Sequence, residues 1–392
     1  STPVHAASKA ILAGTDVECI WENYTYKNLL DAVKRDLIKE EDINLSLERI
    51  LRGRMELGEM DPDYMVPWTK IPYSIINCDK HKNLALEMAR QSIVLLQNKN
   101  NILPLSKNIK KIAVIGPNAD DEEMMWGNYN GTPIKTITIL DGILEKVPQK
   151  NVFYDRACDH VDGKIINSYI DKCRIDDKKG FRAKYWNNAN FSGEPVVINY
   201  VSEQFNFKVD ENNSFDKGVN KEAFSALYET EFIADKDEEL AFKYGATGSI
   251  EILINDKSIA RTVNWRTLPS KVHFKVEAGK KYNIVIRFRQ MNNWRANVVF
   301  DFGKETEIDY TEILNKLKGI DLIIFVGGIS GRLEGEEMPV SYPGFKGGDR
   351  TNIELPDVQR NLLRILKQAG KKIVFVNCSG SAIALLPETQ TC

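Results

Sequence analysis

Two separate segments, residues 80–155 and 309–392, carry short apolar runs that alternate with patterns of helical period. The elements that these patterns predict are helices over 80–96, 138–146, 310–317 and 356–368, and strands over 112–115, 151–154, 322–326 and 373–377. Helices that alternate with short buried strands are typical of a parallel sheet covered on both faces. We therefore predict an α/β fold, a doubly wound α/β sandwich.

Residues 176–305 change character, because strand-like runs and turns replace the helical patterns. The predicted strands lie at 181–186, 227–233, 239–244, 249–254, 272–276, 282–288 and 297–302. Many short strands at this spacing predict an all-β sandwich. Since the block interrupts the α/β pattern, we interpret it as an insertion, and we expect the α/β domain to comprise residues 80–175 and 306–392.

The first 65 residues predict helices, over 26–37 and over 41–57, each with apolar residues on one face. Residues 66–79 contain Pro67 and Pro72 and little periodicity, so we expect a linker there.

Composition narrows the class of protein. A chain of 392 residues with 43% hydrophobic residues predicts two or three domains with real cores. A net charge of −2 gives no basic field, so we expect no nucleic-acid partner. No run of eighteen apolar residues is present, so we expect no membrane span. The chain does not begin with Met and shows no signal peptide, and we expect it to be a piece of a longer protein.

The six cysteines form no C-x-x-C pair, so they predict no metal site. Cys158 and Cys173 have two interpretations. They pair if the protein is exported, or they are separate thiols, which is the plainer expectation. Cys378 follows a predicted strand and is expected to be a small buried residue.

Three carboxylates follow the predicted strand over 322–326. Gly327 and Gly328 come first, and then Glu334, Glu336 and Glu337 lie within four residues. Open α/β sheets bind their ligands at the carboxyl ends of the strands. Repulsion within a carboxylate cluster keeps one member protonated near neutral pH, and glycoside hydrolysis needs such a general acid. The alternative is a solvated acidic loop.

The segment from Glu334 to Gln359, which contains EGEEM and GGDRTNIELPDVQ, resembles glycoside hydrolase family 3, the retaining exo-acting β-glycosidases. Further segments resemble the same family in the expected order, at residues 13–19 (AGTDVEC), 89–98, 103–105, 112–119 and 126–131. The chain departs from the family at Gln97, where a lysine is usual, so no role is carried over to that position.

The resemblance implies that residues 1–65 are the tail of a (β/α)₈ barrel. It also implies that the nucleophile is a barrel aspartate in a segment that this chain does not contain; Asp16 does not match its motif. The family pattern E-x-E places the acid/base at Glu336, with Glu334 as the next candidate and Glu337 after it. We expect Asp349 and Arg350 to brace the loop by an ion pair.

Residues 180–196 (GFRAKYWNNANFSGEPV) resemble the opening of the protective-antigen-like lectin module, which some family members carry as an insert over the active-site mouth. Aromatic rings stack on sugars and guanidinium groups donate to hydroxyls, so Trp294 and Arg295 are the candidate sugar contacts. Trp186 is a weaker candidate, because a tryptophan in a β-sandwich commonly belongs to the core. The predicted loops of the insert contain further residues of the same polar and aromatic types, namely Asn187, Trp265, Arg266, Asn292 and Asn293.

The AGTDVEC segment, with Cys19, is closer to the β-xylosidase branch of the family. The resemblance therefore implies a β-xyloside or related pentoside as substrate. Two alternatives stay open, a β-glucosidase and a non-catalytic carbohydrate-binding fragment. We expect no metal and no cofactor, an oligosaccharide as the partner, and a periplasmic or secreted location for the longer protein; the sequence favours no oligomeric state.

Overall fold

The computed structural model describes residues 2–20, 24–106, 109–131, 133–209, 213–264, 268–290, 296–320 and 322–392. The chain divides into two compact units, Ser1–Asn98 and Lys99–Cys392. The helices are α1 Pro3–Leu12, α2 Leu29–Lys34, α3 Glu40–Glu56, α4 Asp79–Ser92, α5 Glu122–Trp126, α6 Ile139–Leu144, α7 Thr311–Lys316, α8 Asp357–Gln368 and α9 Leu386–Thr391. Within the described residues, no helix is long and apolar enough to span a bilayer.

Short 3₁₀ turns also connect the elements, at Thr25–Asn28, Asp63–Met65, Pro67–Lys70, Tyr73–Ile75, Lys99–Asn101, Gln149–Asn151 and Ile170–Lys172. The first strands along the chain are β1 Ile112–Ile115, β2 Val152–Asp155, β3 Lys164–Ser168, β4 Arg174–Ile175, β5 Lys178–Lys179, β6 Phe181–Trp186, β7 Val197–Val201, β8 Phe205–Lys208, β9 Ser225–Ile233 and β10 Glu238–Ile254. The remaining strands are β11 Lys257–Asn264, β12 Ser270–Val276, β13 Lys281–Arg289, β14 Asn297–Glu307, β15 Leu322–Gly328, β16 Ser341–Tyr342, β17 Phe345–Lys346, β18 Asp349–Arg350 and β19 Lys372–Cys378.

In the first unit, α1, α2 and α3 pack around a small apolar core formed by Val4, Ile11, Ala32 and Ile38. Helix α2 ends at Lys34, before the predicted end at Leu37, because Asp36 adopts a left-handed φ of 52°. The amide of Leu37 then donates to the carbonyl of Ala32 at 3.0 Å and closes the helix. Helix α4 likewise ends at Ser92 instead of residue 96 and lies in the first unit, whereas the sequence placed it in the α/β domain.

A four-stranded parallel sheet forms the centre of the second unit, in the order β19-β15-β1-β2. Alternate residues of its strands face opposite sides. Ala113, Ile115, Ile323 and Phe325 pack with residues of α7 and α8. Ile112, Val114, Ile324 and Val326 pack on the other face with Leu140 of α6. The predicted α/β class is therefore confirmed, and each strand predicted for this sheet is present.

The antiparallel strands between β2 and α7 enclose a second core, rich in aromatic residues. The predicted strands 239–244 and 249–254 are one strand, β10, which pairs first with β12 and β14 and then with β11 and β13. Gly248 has a φ of +125°, and a Cβ there would lie 2.6 Å from the carbonyl oxygen of Arg289. The glycine therefore permits the change of partners within one continuous strand.

The antiparallel sheet begins at Lys164, earlier than the expected boundary at Asp176, and it continues to Glu307. Strand β3 is a short, largely exposed edge strand whose two isoleucines are adjacent and do not alternate with polar residues, so its pattern gave no strand signal. Lys164 is the register partner of Glu307 in β14. The two ends of the antiparallel block, at residues 164 and 307, therefore lie side by side.

We expect the α/β core to survive when residues 164–307 are deleted and Gly163 is joined to Ile308 by a short polar linker. The linker needs to bridge only one inter-strand distance of about 5 Å. Thermal unfolding of the shortened chain, followed by circular dichroism, should stay cooperative. The hydroxyl of Tyr342 loses its acceptor, the carbonyl of Pro269 at 2.7 Å, so amide exchange around Tyr342 should quicken. A non-cooperative or aggregating chain would contradict the expectation.

Candidate active site

The acidic loop begins where β15 ends, at the carboxyl edge of the parallel sheet. A Cβ on Gly328 would lie 2.0 Å from the carbonyl oxygen of Cys378, and a Cβ on Gly327 would lie 2.4 Å from Oε1 of Gln359. Gly328 also has a φ of +113°, which favours glycine. The glycine pair therefore lets the chain leave the sheet in close contact with its neighbours.

The three glutamates of the acidic loop have different surroundings. Glu334 is partly buried, and its carboxylate accepts a hydrogen bond from Oγ of Ser381 at 2.9 Å. Glu336 is exposed, and its carboxylate accepts a hydrogen bond from the phenol of Tyr129. Glu337 is exposed and has a left-handed φ of 45°, uncommon for a residue with a side chain. One exposed glutamate therefore has a hydrogen-bond donor fixed on another loop.

Backbone hydrogen bonds close the acidic loop against the hairpin that follows it. The amide of Gly335 donates to the carbonyl of Gly348 at 3.1 Å, and that of Met338 donates to Gly347 at 3.0 Å. A Cβ on Gly348 would lie 1.9 Å from the carbonyl oxygen of Gly335, so this approach requires glycine. Apolar side chains seal the underside of the loop, namely Leu268, Ile329, Leu333, Val340 and Phe345.

Arg350 braces this region, but by contacts other than the expected ion pair with Asp349. Its guanidinium group donates to the carbonyls of Asn352 at 3.0 Å and Glu354 at 3.1 Å. The guanidinium also lies over the ring of Phe345, 5.2 Å from its centroid. Backbone carbonyls beyond the end of a strand have no hydrogen-bond partner within the sheet. They therefore accept hydrogen bonds from the guanidinium in place of the carboxylate of Asp349.

A second loop, from Trp126 to Gly131, lies against the acidic loop. It follows α5, whose N-cap Asp121 accepts a hydrogen bond from the amide of Met124 at 3.1 Å. Asp121 also pairs with Arg332 of the acidic loop. Nδ2 of Asn128 donates to the carbonyl of Glu334 at 2.6 Å.

Asn118 and His160 form a buried polar pair at the base of the acidic loop. Nδ2 of Asn118 donates to the carbonyls of Gly327 at 3.1 Å and Ile329 at 3.3 Å. Nε2 of His160 lies 2.5 Å from Oδ1 of Asn118. Because the two carbonyls only accept, Asn118 presents its oxygen to His160, and Nε2 of the imidazole carries the proton.

Gln359, in the first turn of α8, is fully buried and binds the same strand end. Its Oε1 accepts the amide of Gly328 at 2.8 Å, and its Nε2 donates to the carbonyl of Gly328 at 2.7 Å. Nε2 also donates to the carbonyl of His160 at 2.8 Å. One carboxamide thus satisfies both backbone groups of the residue that starts the loop.

The charge state of His160 follows from its surroundings. Burial lowers the pKa of His160, and the contact with Asp159 only partly offsets this. Nδ1 lies 3.5 Å from Nη2 of Arg156, which can only donate, and 3.8 Å from the carboxylate of Asp159. A neutral ring with Nδ1 as acceptor fits both the burial and the guanidinium.

The expected sugar contacts fall into two groups. Trp294 and Arg295 lie outside the described residues, as do Trp265, Arg266, Asn292 and Asn293. Trp186 is buried, its indole N–H donates to the carbonyl of Gly193 at 2.8 Å, and its ring meets the edge of Phe191. Trp186 is therefore buried with its indole N–H already bonded, which fits the expectation that a tryptophan in a β-sandwich belongs to the core.

The remaining residues singled out in the sequence are one aspartate and three cysteines, and each has a clear structural environment. Asp16 pairs with Arg49 at 3.1 Å within the first unit. Cys158 and Cys173 are both buried free thiols, and burial raises the pKa of each. Cys378 is a partly buried thiol at the edge of the sheet. Across the described residues, no group of three or more His, Cys, Asp or Glu side chains is arranged to hold a metal ion.

The family described as the glycosyl hydrolase family 3 C-terminal domain matches residues 93–392 of the chain. The chain belongs to glycoside hydrolase family 3. A curated relative, the xylan 1,4-beta-xylosidase of Xylanibacter ruminicola, is 48% identical over 394 residues, which cover 100% of this chain and 45% of the relative. This family 3 chain therefore spans less than half the length of that relative.

Solved structures of family 3 enzymes share the fold. A beta-glucosidase from Kluyveromyces marxianus superposes with a TM-score of 0.57 at 21% identity, over 98% of this chain and 47% of that chain. A family 3 exo-beta-xylosidase superposes with a TM-score of 0.55 at 19% identity, over 100% of this chain and 30% of that chain. The family match and the 48% identical relative confirm the resemblance that the sequence motifs carried.

The residues that support the acidic loop of this family 3 domain were not among those predicted from the sequence. Asn118 lies three residues after the end of β1, at the same edge as the glutamates, so its position after the strand was an available signal. His160 gave no local signal. Gln359 and Tyr129 lie in segments that resemble the family, but the resemblance did not reveal their partners, because each acts on a segment distant in the chain.

We expect Asn118→Asp to lower the free energy of unfolding of this family 3 chain by at least about 2 kcal/mol at pH 7, since a buried carboxylate cannot donate to the two carbonyls. Urea unfolding followed by circular dichroism measures the change. The matched control is Asn190→Asp, an exposed asparagine, with an expected effect below about 0.5 kcal/mol. Equal effects of the two changes would contradict the proposed role of Asn118.

We expect His160 to be neutral, with its proton on Nε2, at pH 7. The chain has four histidines, so ¹⁵N-histidine NMR can resolve the tautomer. Because the pKa of His160 is lowered in the folded state, the unfolded chain binds more protons below about pH 6.5. The contribution of His160 to stability is therefore present above that pH and is lost as the pH falls. His160→Gln keeps a hydrogen-bond donor but does not titrate, so it should flatten the pH dependence of the stability. An imidazolium signal from His160 at pH 7 would contradict the expectation of a neutral ring.

Proposed function

We propose that this chain supplies the acid/base side of the active site of a retaining exo-acting β-glycosidase. The observation that carries the proposal is Glu336, an exposed carboxylate at the carboxyl edge of the sheet with a donor from a second loop. Membership of family 3 gives the reaction class, and the E-x-E pattern gives the residue.

The surroundings of the three glutamates favour Glu336 over its neighbours. A general acid must reach the leaving oxygen directly, so it has to be exposed and oriented. Glu334 is partly buried and bound to Ser381, which suits a structural role in the loop. Glu337 is exposed in a left-handed backbone conformation, with no hydrogen bond from the second loop in the described structure.

The proposed mechanism divides the work between two carboxyl groups about 5–5.5 Å apart. A nucleophile attacks the anomeric carbon, and Glu336 gives its proton to the leaving oxygen as the glycosidic bond breaks. Glu336 then takes a proton from the water that hydrolyses the glycosyl-enzyme intermediate. Because no segment of this chain matches the nucleophile motif of the family, we assign the nucleophile to an aspartate of a barrel domain.

The proposal extends to the domain architecture of the chain. Helices on both faces of the parallel sheet support a doubly wound sandwich. The antiparallel block between β2 and α7 supports an inserted sandwich of the protective-antigen-like lectin type. Residues 1–65 would be the tail of the barrel and residues 66–79 the linker to the sandwich.

For the substrate we propose β-xylosides or related pentosides, as terminal residues of oligosaccharides. The relative named xylan 1,4-beta-xylosidase, which aligns with the whole chain, supports this choice. The β-glucosidase alternative is supported by the folds of solved beta-glucosidases, which are 17–22% identical to this chain and therefore show the fold alone. A periplasmic or secreted location of the whole protein stays a prediction.

A domain exchange tests the proposal. We expect activity on aryl β-xylosides when this chain replaces the 394 aligned residues of the Xylanibacter ruminicola relative. Within that chimera, Glu336→Ala should slow substrates with poor leaving groups by about 10²–10⁴-fold, because these need protonation. Activated aryl xylosides should be affected much less, and azide should restore part of their turnover as β-xylosyl azide.

The matched controls are Glu334→Ala and Glu337→Ala, for which neither leaving-group dependence nor azide rescue is expected. If Glu334→Ala shows both effects instead, the acid/base lies two residues earlier. If the chimera folds but is inactive, the non-catalytic carbohydrate-binding alternative is favoured. The isolated chain should itself show negligible turnover, since an acid without a nucleophile forms no intermediate.

A further inference from the structure

We infer that Tyr129 is a positioning residue, which holds the carboxyl group of Glu336 in one orientation for proton transfer. The inference rests on the proposed role of Glu336. The phenol O–H of Tyr129 donates to Oε2 of Glu336, while 86% of the tyrosine surface stays exposed. An exposed glutamate samples many rotamers, and a donor fixed on another loop selects among them.

Asn128 fixes the loop that carries Tyr129. Its Nδ2 donates to the carbonyl of Glu334 at 2.6 Å. A Cβ on Gly331 would lie 2.6 Å from Oδ1 of Asn128, so the carboxamide occupies the space that a side chain there would need. A Cβ on Gly335 would reach ordinary contact at 3.5 Å from the same oxygen. Asn128 is thus seated between two turns of the acidic loop, and Tyr129 follows it directly.

Ion pairs provide a second attachment between the two loops. Arg332 of the acidic loop pairs with Asp121 and, at 3.7 Å, with Glu123, and all three side chains are largely shielded from solvent. Asp121 and Glu123 lie at the start of α5, which leads into the Tyr129 loop. The position of the phenol is therefore set by contacts that do not involve Glu336.

The other charged groups of the two loops are engaged elsewhere or lie in solvent. Arg332 is held by its acidic partners, Arg350 binds backbone carbonyls, and Glu334 binds Ser381. Glu337 and Lys346 are exposed. Among the described residues, the Tyr129 phenol is the hydrogen-bond donor recorded on the Glu336 carboxylate.

This arrangement assigns different tasks to the two oxygens of Glu336. Tyr129 engages Oε2, so Oε1 carries the proton that moves to the glycosidic oxygen as its bond to the anomeric carbon breaks. In the second step Oε1 takes a proton from the attacking water. The phenol keeps its own proton throughout, which is why Tyr129 acts by positioning rather than by transfer.

The hydrogen bond can be tested in the 392-residue chain without activity. The contact with Glu336 raises the pKa of Tyr129. In ¹³Cζ-tyrosine NMR, with Tyr129→Phe identifying the signal, Glu336→Gln should lower the pKa of that phenol. An unchanged titration of Tyr129 would overturn the inference, whatever the catalytic role of Glu336.

The positioning role is tested in the same chimera as the acid/base. Tyr129→Phe should reduce kcat for poor leaving groups by about tenfold, with little change for activated substrates or in KM. The matched control is Tyr200→Phe, which removes a phenol–carboxylate hydrogen bond to Asp176 at 3.1 Å in the antiparallel block. That control should leave both rates unchanged.

The outcomes separate the two proposals. If Glu336→Ala shows the leaving-group dependence but Tyr129→Phe behaves like Tyr200→Phe, the positioning role is wrong and the acid/base assignment stands. If Glu336→Ala shows no leaving-group dependence, the acid/base assignment fails, and the positioning role fails with it. A loss with Tyr129→Phe that is equal for all leaving groups also overturns the positioning role, since it indicates a general structural defect.

Discussion

The candidate site depends on hydrogen bonds between two buried carboxamides and the backbone at the end of β15. Gln359 satisfies both the amide and the carbonyl of Gly328, and Asn118 satisfies the carbonyls on either side of it. Backbone groups at a strand end lose their ladder partners, and burying them unpaired is costly. Because α8 supplies one carboxamide and the segment after β1 supplies the other, rigid elements decide where the acidic loop begins.

Glycines then set the distances within the loop. Gly348 lies against the carbonyl of Gly335, and Gly331 leaves space for Asn128. Each of these contacts brings backbone against backbone or against a short carboxamide, so the loops are close without a large apolar core between them. The result is an exposed carboxylate on a loop whose backbone is held at several points, which is what a group that must meet substrate in a fixed orientation requires.

The sequence predicted best what depends on local pattern. The strand Ile112–Ile115 lies where its continuous apolar run predicted it, because it is buried on both faces. Helix Asp357–Gln368 lies where periodicity predicted it, because burial repeats along one of its faces. Predictions failed where the backbone conformation of one residue decides where a helix ends, as at Asp36. They also failed where a glycine lets one continuous strand change its pairing partners, as at Gly248. They failed also for long-range side-chain contacts. Arg350 has carbonyls as partners and Tyr129 has a carboxylate 207 residues away, and no local pattern encodes either contact.

Leu268 belongs to the antiparallel block, yet it packs under the acidic loop with Leu333 and Phe345. The block is thus joined to the segment that carries the acidic loop by a shared piece of core as well as by its two chain connections. A substitution at Leu268 should therefore be accompanied by compensating substitutions at the loop positions that it contacts. A related domain without such a block must cover these loop residues with other side chains, so the residues beneath the acidic loop should differ between domains with and without the block.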